Sequence, residues 1–298
     1  MATSKIAKSG YGEISLKRNP TSPRTLFGLI MSGIAGFFTL LAIIPLFIIL
    51  SYLITKGIGS LSASVFTELP PPPLVDGGGF GNAIVGTMLM VGIGALISVP
   101  LGIMAAIYLS EFNEGKAAEW IRFATNVLSG VPSIIVGVFA YSAVVLTFKT
   151  YSAWAGGFAL SILMLPIIVR TTDESLKLVP QDVRQASVGI GANQYQTVLQ
   201  VVLPAALPAI ITGVTLAIAR AAGETAPLLF TALFTQFWPN WDELLVEPTA
   251  SLAVLVYNFA IVPFQNQQEL AWGAAFILVL LVLVTSIISR LATAKRTY

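Results

Sequence analysis

Few residues in this chain could do chemistry. The 298 residues include no Cys and no His. That excludes disulfides, thiol redox chemistry, Cys or His metal sites, and both the Ser-His-Asp and Cys-His triads. No Gly-x-x-x-x-Gly-Lys-Ser/Thr run occurs, so the chain cannot bind ATP through a P-loop. What remains is a pair of charges inside an apolar run, Arg220 and Glu224, within Ala219-Arg-Ala-Ala-Gly-Glu-Thr-Ala-Pro-Leu-Leu229. Charges at membrane depth are expensive and mark pathways by default. Four residues apart, they share a helix face and can pair. The planar donor fork of Arg matches phosphate and carboxylate. The expected chemistry is therefore transient contact between Arg220 and a passing oxyanion, with Glu224 moderating the charge. The competing reading is a structural ion pair that locks neighbouring helices. Arg170, beside Asp173 and Glu174, is a second pathway candidate, and anchoring at the inner membrane face explains it equally well.

The elements that must position these residues are apolar. Of the chain, 56% is apolar and 10% charged, against about 25% charged in soluble domains. The mean hydropathy is +0.84. The expected fold class is an all-α integral membrane protein with six transmembrane helices. Residues 1–25 form a basic tail carrying Lys5, Lys8, Lys17, Arg18 and Arg24. Residues 26–55 carry no charge and exceed the roughly 20 residues a span needs. This run is too long for the core of a cleavable signal peptide. Residues 56–80 are a loop in which Pro70–Pro73 stiffens the chain and Gly77–Gly79 frees it. A core region over 81–292 holds the other spans, near 80–110, 123–147, 151–171, 205–235 and 270–289. Residues 251–264 are apolar but short, which fits an interfacial or re-entrant helix. Pro45, Pro100, Pro132, Pro166, Pro208 and Pro227 fall inside spans, where each removes a helical hydrogen bond.

Orientation follows from Lys and Arg. With both termini cytoplasmic, the inner segments hold thirteen of the sixteen basic residues, the outer loops hold Lys56 and Lys149, and Arg220 lies within the fifth span. The outer loop near 236–268 carries Asp242, Glu243 and Glu247 without a base.

The inner loop at 172–204 is too polar for membrane, with Gln185, Asn193, Gln194, Gln196 and Gln200. Its composition predicts two short helices. Pro180 suits a first helical position, Gly189 and Gly191 permit a turn, and Asn193 with Gln196 resembles a capping box. Tyr195, Val198, Leu199 and Val202 make one apolar stripe, and Pro204 closes the unit. Such a helix pair either docks into a partner groove or packs on its own bundle.

Gln185-Ala186-Ser187, Gly191 and Val201-Val202-Leu203-Pro204 resemble the EAA loop of ABC-importer permeases at every interval, with Gln for Glu, Ser for Ala and Val for Ile. The resemblance implies the MetI-like type I importer fold, in which this loop forms a coupling helix seated in a cleft of the ATP-hydrolysing subunit. Gln185, Ala186, Ser187 and Gly191 are then the contact positions. Ser129-Gly-Val-Pro-Ser133 with Ile-Ile-Val-Gly137, and the run 219–229, are similar to the third- and fifth-helix motifs of PstA-type permeases of the high-affinity phosphate importer. That family implies a second homologous permease, a dimer of ATP-binding subunits that holds the ATP, and an extracytoplasmic phosphate-binding protein. It also implies residence in the lipid bilayer of a prokaryotic inner membrane. No cofactor is expected in this chain, and no nucleic acid partner. Open alternatives are a permease for sulfate or molybdate, an intramembrane enzyme, and a secondary transporter, for which the docking loop would have no purpose.

Overall fold

The structure is a computed structural model that describes residues 22–112, 115–243 and 246–294. Most of the expected basic tail, and Lys295 and Arg296, lie outside the described residues. The described residues form helices and loops without a strand. Among the described residues five helices are long and apolar enough to cross a membrane, or six when one bent pair is counted as a single span.

The chain divides into two compact units at Tyr52–Leu53. The first consists, among the described residues, of most of helix α1 (Pro23–Gly59). It is apolar on all sides and buries none of its residues up to Tyr52. A helix hydrophobic all round needs an apolar surrounding.

The second unit holds α2 (Gly81–Glu111), α3 (Lys116–Gly130) and α4 (Ser133–Phe148). After them come α5 (Ala153–Lys177), α6 (Gln181–Gly189), α7 (Gln194–Ala222), α8 (Ala226–Thr231), α9 (Leu252–Ile261) and α10 (Gln265–Ala294). α2 and α5 form the central pair. Small residues let their backbones meet, as membrane interfaces require. A β-carbon on Gly102 would lie 2.7 Å from Ile168 Cγ2, and one on Gly157 would lie 2.5 Å from Ile93 Cγ2. Met90, Leu160, Met164 and Ile168 fill the seam with Ala217, Ala221 and Leu228.

Several elements differ from the sequence expectation. The third of the six spans is bent by 108° between α3 and α4. Pro132 forces Val131 out of the helical region, to φ −75° and ψ 128°. The fifth span begins earlier than residue 205, because Pro204 does not end the loop helix. A π turn at Val198–Val202 widens the backbone just ahead of Pro204, relieving the clash its ring would cause. α7 then runs on to Ala222. The Pro/Gly loop is packed rather than free: a β-carbon on Gly79 would lie 2.3 Å from Ser64 O, and Val65 and Phe80 are core residues.

α9 is not interfacial. Leu252, Ala253, Val254, Leu255 and Phe259 are buried, and Leu252 N donates to Thr87 Oγ1 at 2.8 Å. The preceding loop bonds Asn82 and brings Trp238 against Gly81, both at the start of α2. The following Gln267 donates to Pro71 O. α9 therefore enters and leaves at the α2 N-terminal end, as a re-entrant helix does.

Candidate functional site

Two regions matter, the loop at 178–194 and the break in the fifth span. In the first, Pro180 caps α6 and Gln181 is its first helical residue, one position later than the sequence suggests. Gly191 sits at φ +94°. Gly191 N bonds Val188 O at 2.9 Å and Ala192 N bonds Ser187 O at 3.2 Å, which is the Schellman closure of a helix C-terminus. Gly189 is simply the last residue of α6. The capping box forms as expected. Gln196 N donates to Asn193 Oδ1 and Asn193 N to Gln196 Oε1, both at 2.9 Å.

The four loop residues implied by the resemblance divide. Gln185, Ala186 and Gly191 are exposed, whereas Ser187 is buried and shares a 3.0 Å hydrogen bond with Thr197 Oγ1. Ser187 thus joins α6 to α7 instead of facing outward. Beside the exposed positions stand bare apolar side chains, Val183, Val188 and Ile190, the last 89% exposed. The Tyr195–Val202 stripe also splits. Val198 and Val202 are buried. Tyr195 and Leu199 line an open apolar groove of about 460 Å³ with Met104, Ile107, Tyr108 and Phe112.

A further residue holds the loop, and sequence reasoning missed it. Glu111, the last residue of α2, pairs with Arg184 of α6. Arg184 Nη2 also donates to Leu176 O at 2.8 Å. Seventy-three residues separate the pair, so no local pattern announces it. Its one visible signal was an acidic residue at the end of an apolar run.

At the second region α7 stops at Ala222, and Gly223–Thr225 interrupts the helix before α8. Arg220 Nε lies 3.6 Å from Glu224 Oε1, with the Arg side chain 61% exposed and the Glu 15%. Arg220 occupies the last turn of α7, where unpaired carbonyls favour a cation. α8 packs on α4, so the break at Gly223 and the bend at Pro132 bring the 129–137 and 219–229 segments together. Arg170 lies elsewhere, on α5, paired with Glu174 at 3.1 Å on an exposed face. Asp173 instead takes Lys177 at 2.5 Å and Arg122 at 3.8 Å. Among the described residues no group of His, Cys, Asp or Glu could hold a metal ion.

The model of the family described as binding-protein-dependent transport system inner membrane component matches residues 98–297. The chain is 43% identical over 244 residues to the phosphate transport system permease protein PstA of Yersinia pestis, covering 82% of each. It is 43% identical over 263 residues to that of Haemophilus influenzae, covering 88% of this chain and 92% of the relative. The chain belongs to the PstA permease family. Even the probable phosphate transport system permease protein PstA of Methanocaldococcus jannaschii is 31% identical over 84% of the chain. Among solved structures, the fold matches a chain of the MetNI methionine ABC transporter in an inward-facing conformation. The TM-score is 0.58 at 19% identity, over 73% of this chain and 94% of that one. It also matches a chain of a bacterial alginate ABC transporter, with a TM-score of 0.57 at 14% identity, over 89% and 92%. The PstA family assignment and these likenesses establish a MetI-like importer permease fold.

Proposed function

We propose that this chain is the transmembrane permease subunit of an ATP-driven phosphate importer. The observation that carries the reading is its 43% identity, over most of both chains, to proteins named as phosphate transport system permeases. The chain pairs with a second homologous permease to enclose the pathway. A dimer of ATP-binding subunits supplies the energy, and an extracytoplasmic binding protein supplies phosphate. The chain sits in the inner membrane with both termini cytoplasmic, the orientation its Lys and Arg favour.

The geometry supports a division of labour. The exposed Gln185, Ala186, Val188 and Ile190 around the Gly191 turn offer a small, stiffly closed apolar knob. Such a surface fits a cleft on a partner. Movement of this loop is carried into α7, which continues from it without interruption and ends beside Arg220. Arg220 contacts the passing anion, and Glu224 keeps the site from holding it too tightly. Arg170, already paired at the surface, is the weaker pathway candidate and fits an inner-face anchor.

The outer loops favour delivery by a protein. Glu68, Asp76, Asp242, Glu243 and Glu247 stand there against Lys56 and Lys149. Glu247 is fully exposed, and its carboxyl is held above the usual range, first by its hydrogen bond with Glu243. Such a face repels free phosphate and complements a basic rim on a binding protein.

Affinity purification of the tagged chain from its host membrane tests the assembly. Recovery of an ATP-binding subunit and a second permease supports it. Recovery of the chain alone, active without an ATPase, favours a secondary transporter.

A further inference from the structure

Arg184 and Ser187 are the two side chains of α6 that hydrogen-bond outside their own helix, among the described residues. Ser187 reaches Thr197 in the first turn of α7, an element the chain already joins to α6 directly. Arg184 reaches further. It pairs with Glu111 at the end of α2, donates to Leu176 O at 2.8 Å, and donates to Val179 O at 3.5 Å. The pair is sheltered, with side-chain exposures of 15% for Arg184 and 8% for Glu111. Glu111 is fixed in turn: Ser110 Oγ donates to its Oε1 at 3.1 Å, and Gln194 Nε2 donates to its backbone O at 2.8 Å. The rings of Phe112 and Tyr195 meet beside it, with centroids 5.2 Å apart. One guanidinium thus ties α6 to the inner ends of α2 and α5, two helices that already pack along their lengths.

A merely surface ion pair would contribute little and break easily. A sheltered one bound on several sides resists separation, because parting it strands a charge out of water. Without this pair, α6 connects to the bundle through its flanking loops, through Ser187 and through the Arg184 bonds to Leu176 O and Val179 O. The pair with Glu111 is what ties its side chains directly to α2.

We infer that Glu111 is a positioning residue for transport: through Arg184 it couples movement of the exposed α6 loop to α2, so that energy delivered at the loop reorients the central α2–α5 pair. The inference rests on the proposed importer function, in which a partner ATPase acts on α6.

The test uses the whole complex in proteoliposomes, with its binding protein and ATP, and reads phosphate imported and ATP hydrolysed together. E111Q keeps the shape and removes the charge. It is expected to lower import about tenfold, the order set by loss of one charge-assisted hydrogen bond, while hydrolysis stays within about twofold of wild type. The chain has no native Cys, so E111C/R184C can be bridged by a short, reducible bifunctional thiol reagent. Bridging is expected to restore import in this variant, and reduction to abolish it again. Import and hydrolysis falling in proportion in E111Q, or an unchanged ratio, overturns the inference. If E111Q fails to assemble, the bridged variant decides, and no gain of import on bridging overturns the inference. A wild-type complex that hydrolyses ATP but imports no phosphate overturns the functional reading instead.

Discussion

Gly137 and Pro227 are packed backbone to backbone: a β-carbon on Gly137 would lie 2.7 Å from Pro227 Cα and 3.3 Å from Pro227 O. The contact presses α4 against α8, just beyond the bend at Pro132 and the break at Gly223. Backbone cannot yield as a flexible side chain does. Gly137→Ala should therefore destabilise the protein by about 1–3 kcal/mol, the range for overpacking. A thermal melt in detergent checks this. Gly130→Ala, at a position with no atom within 4 Å of the added carbon, should leave the melt unchanged.

Gly191 faces open space yet holds φ +94°. Gly191→Ala should cost about 1–2 kcal/mol through backbone strain alone. Asn193→Ala, which removes the N-cap, should cost about 1 kcal/mol. In a reconstituted complex both should lower import per ATP hydrolysed. Retained coupling in both would count against a loop whose fixed geometry matters.

Ile190 is 89% exposed and supports nothing around it. Ile190→Asp should leave the melting temperature within about 1 °C, as surface changes do, while recovery of the ATP-binding subunit on affinity purification falls sharply. Undiminished recovery would place the partner surface elsewhere.

Arg220→Gln should abolish phosphate import without loss of assembly, and Arg220→Lys should retain a fraction of it, because Lys lacks the planar fork. Glu224→Gln leaves Arg220 unopposed. The expected result is a lower KM together with a lower kcat, as the anion is held longer. Uptake kinetics that match wild type in Arg220→Gln would reduce the pair to a structural role.

The parts of this molecule visible in the sequence are local ones. Asn193 with Gln196, and Arg220 with Glu224, lie three and four residues apart, and the chain at a helix end brings each together. The EAA spacing is likewise short-range. The contacts that were not visible join distant residues. Glu111 meets Arg184 across 73 positions, and Gly137 meets Pro227 across the packing of α4 on α8. Apolarity alone could not separate a buried re-entrant α9 from an interfacial helix, because lipid and protein interior favour the same side chains. Ser187 sits in a matching motif position yet turns inward, since its hydroxyl finds Thr197. The run through Pro204 depends on a π turn, which no single residue announces.

The most direct measurement is uptake of radiolabelled phosphate by cells deleted for this gene and for redundant importers, with and without the gene restored. Excess sulfate and molybdate serve as competitors. Restoration should recover uptake, and neither competitor should suppress it. Uptake that stays at the deletion level, with the protein present in the membrane, would contradict phosphate as the substrate.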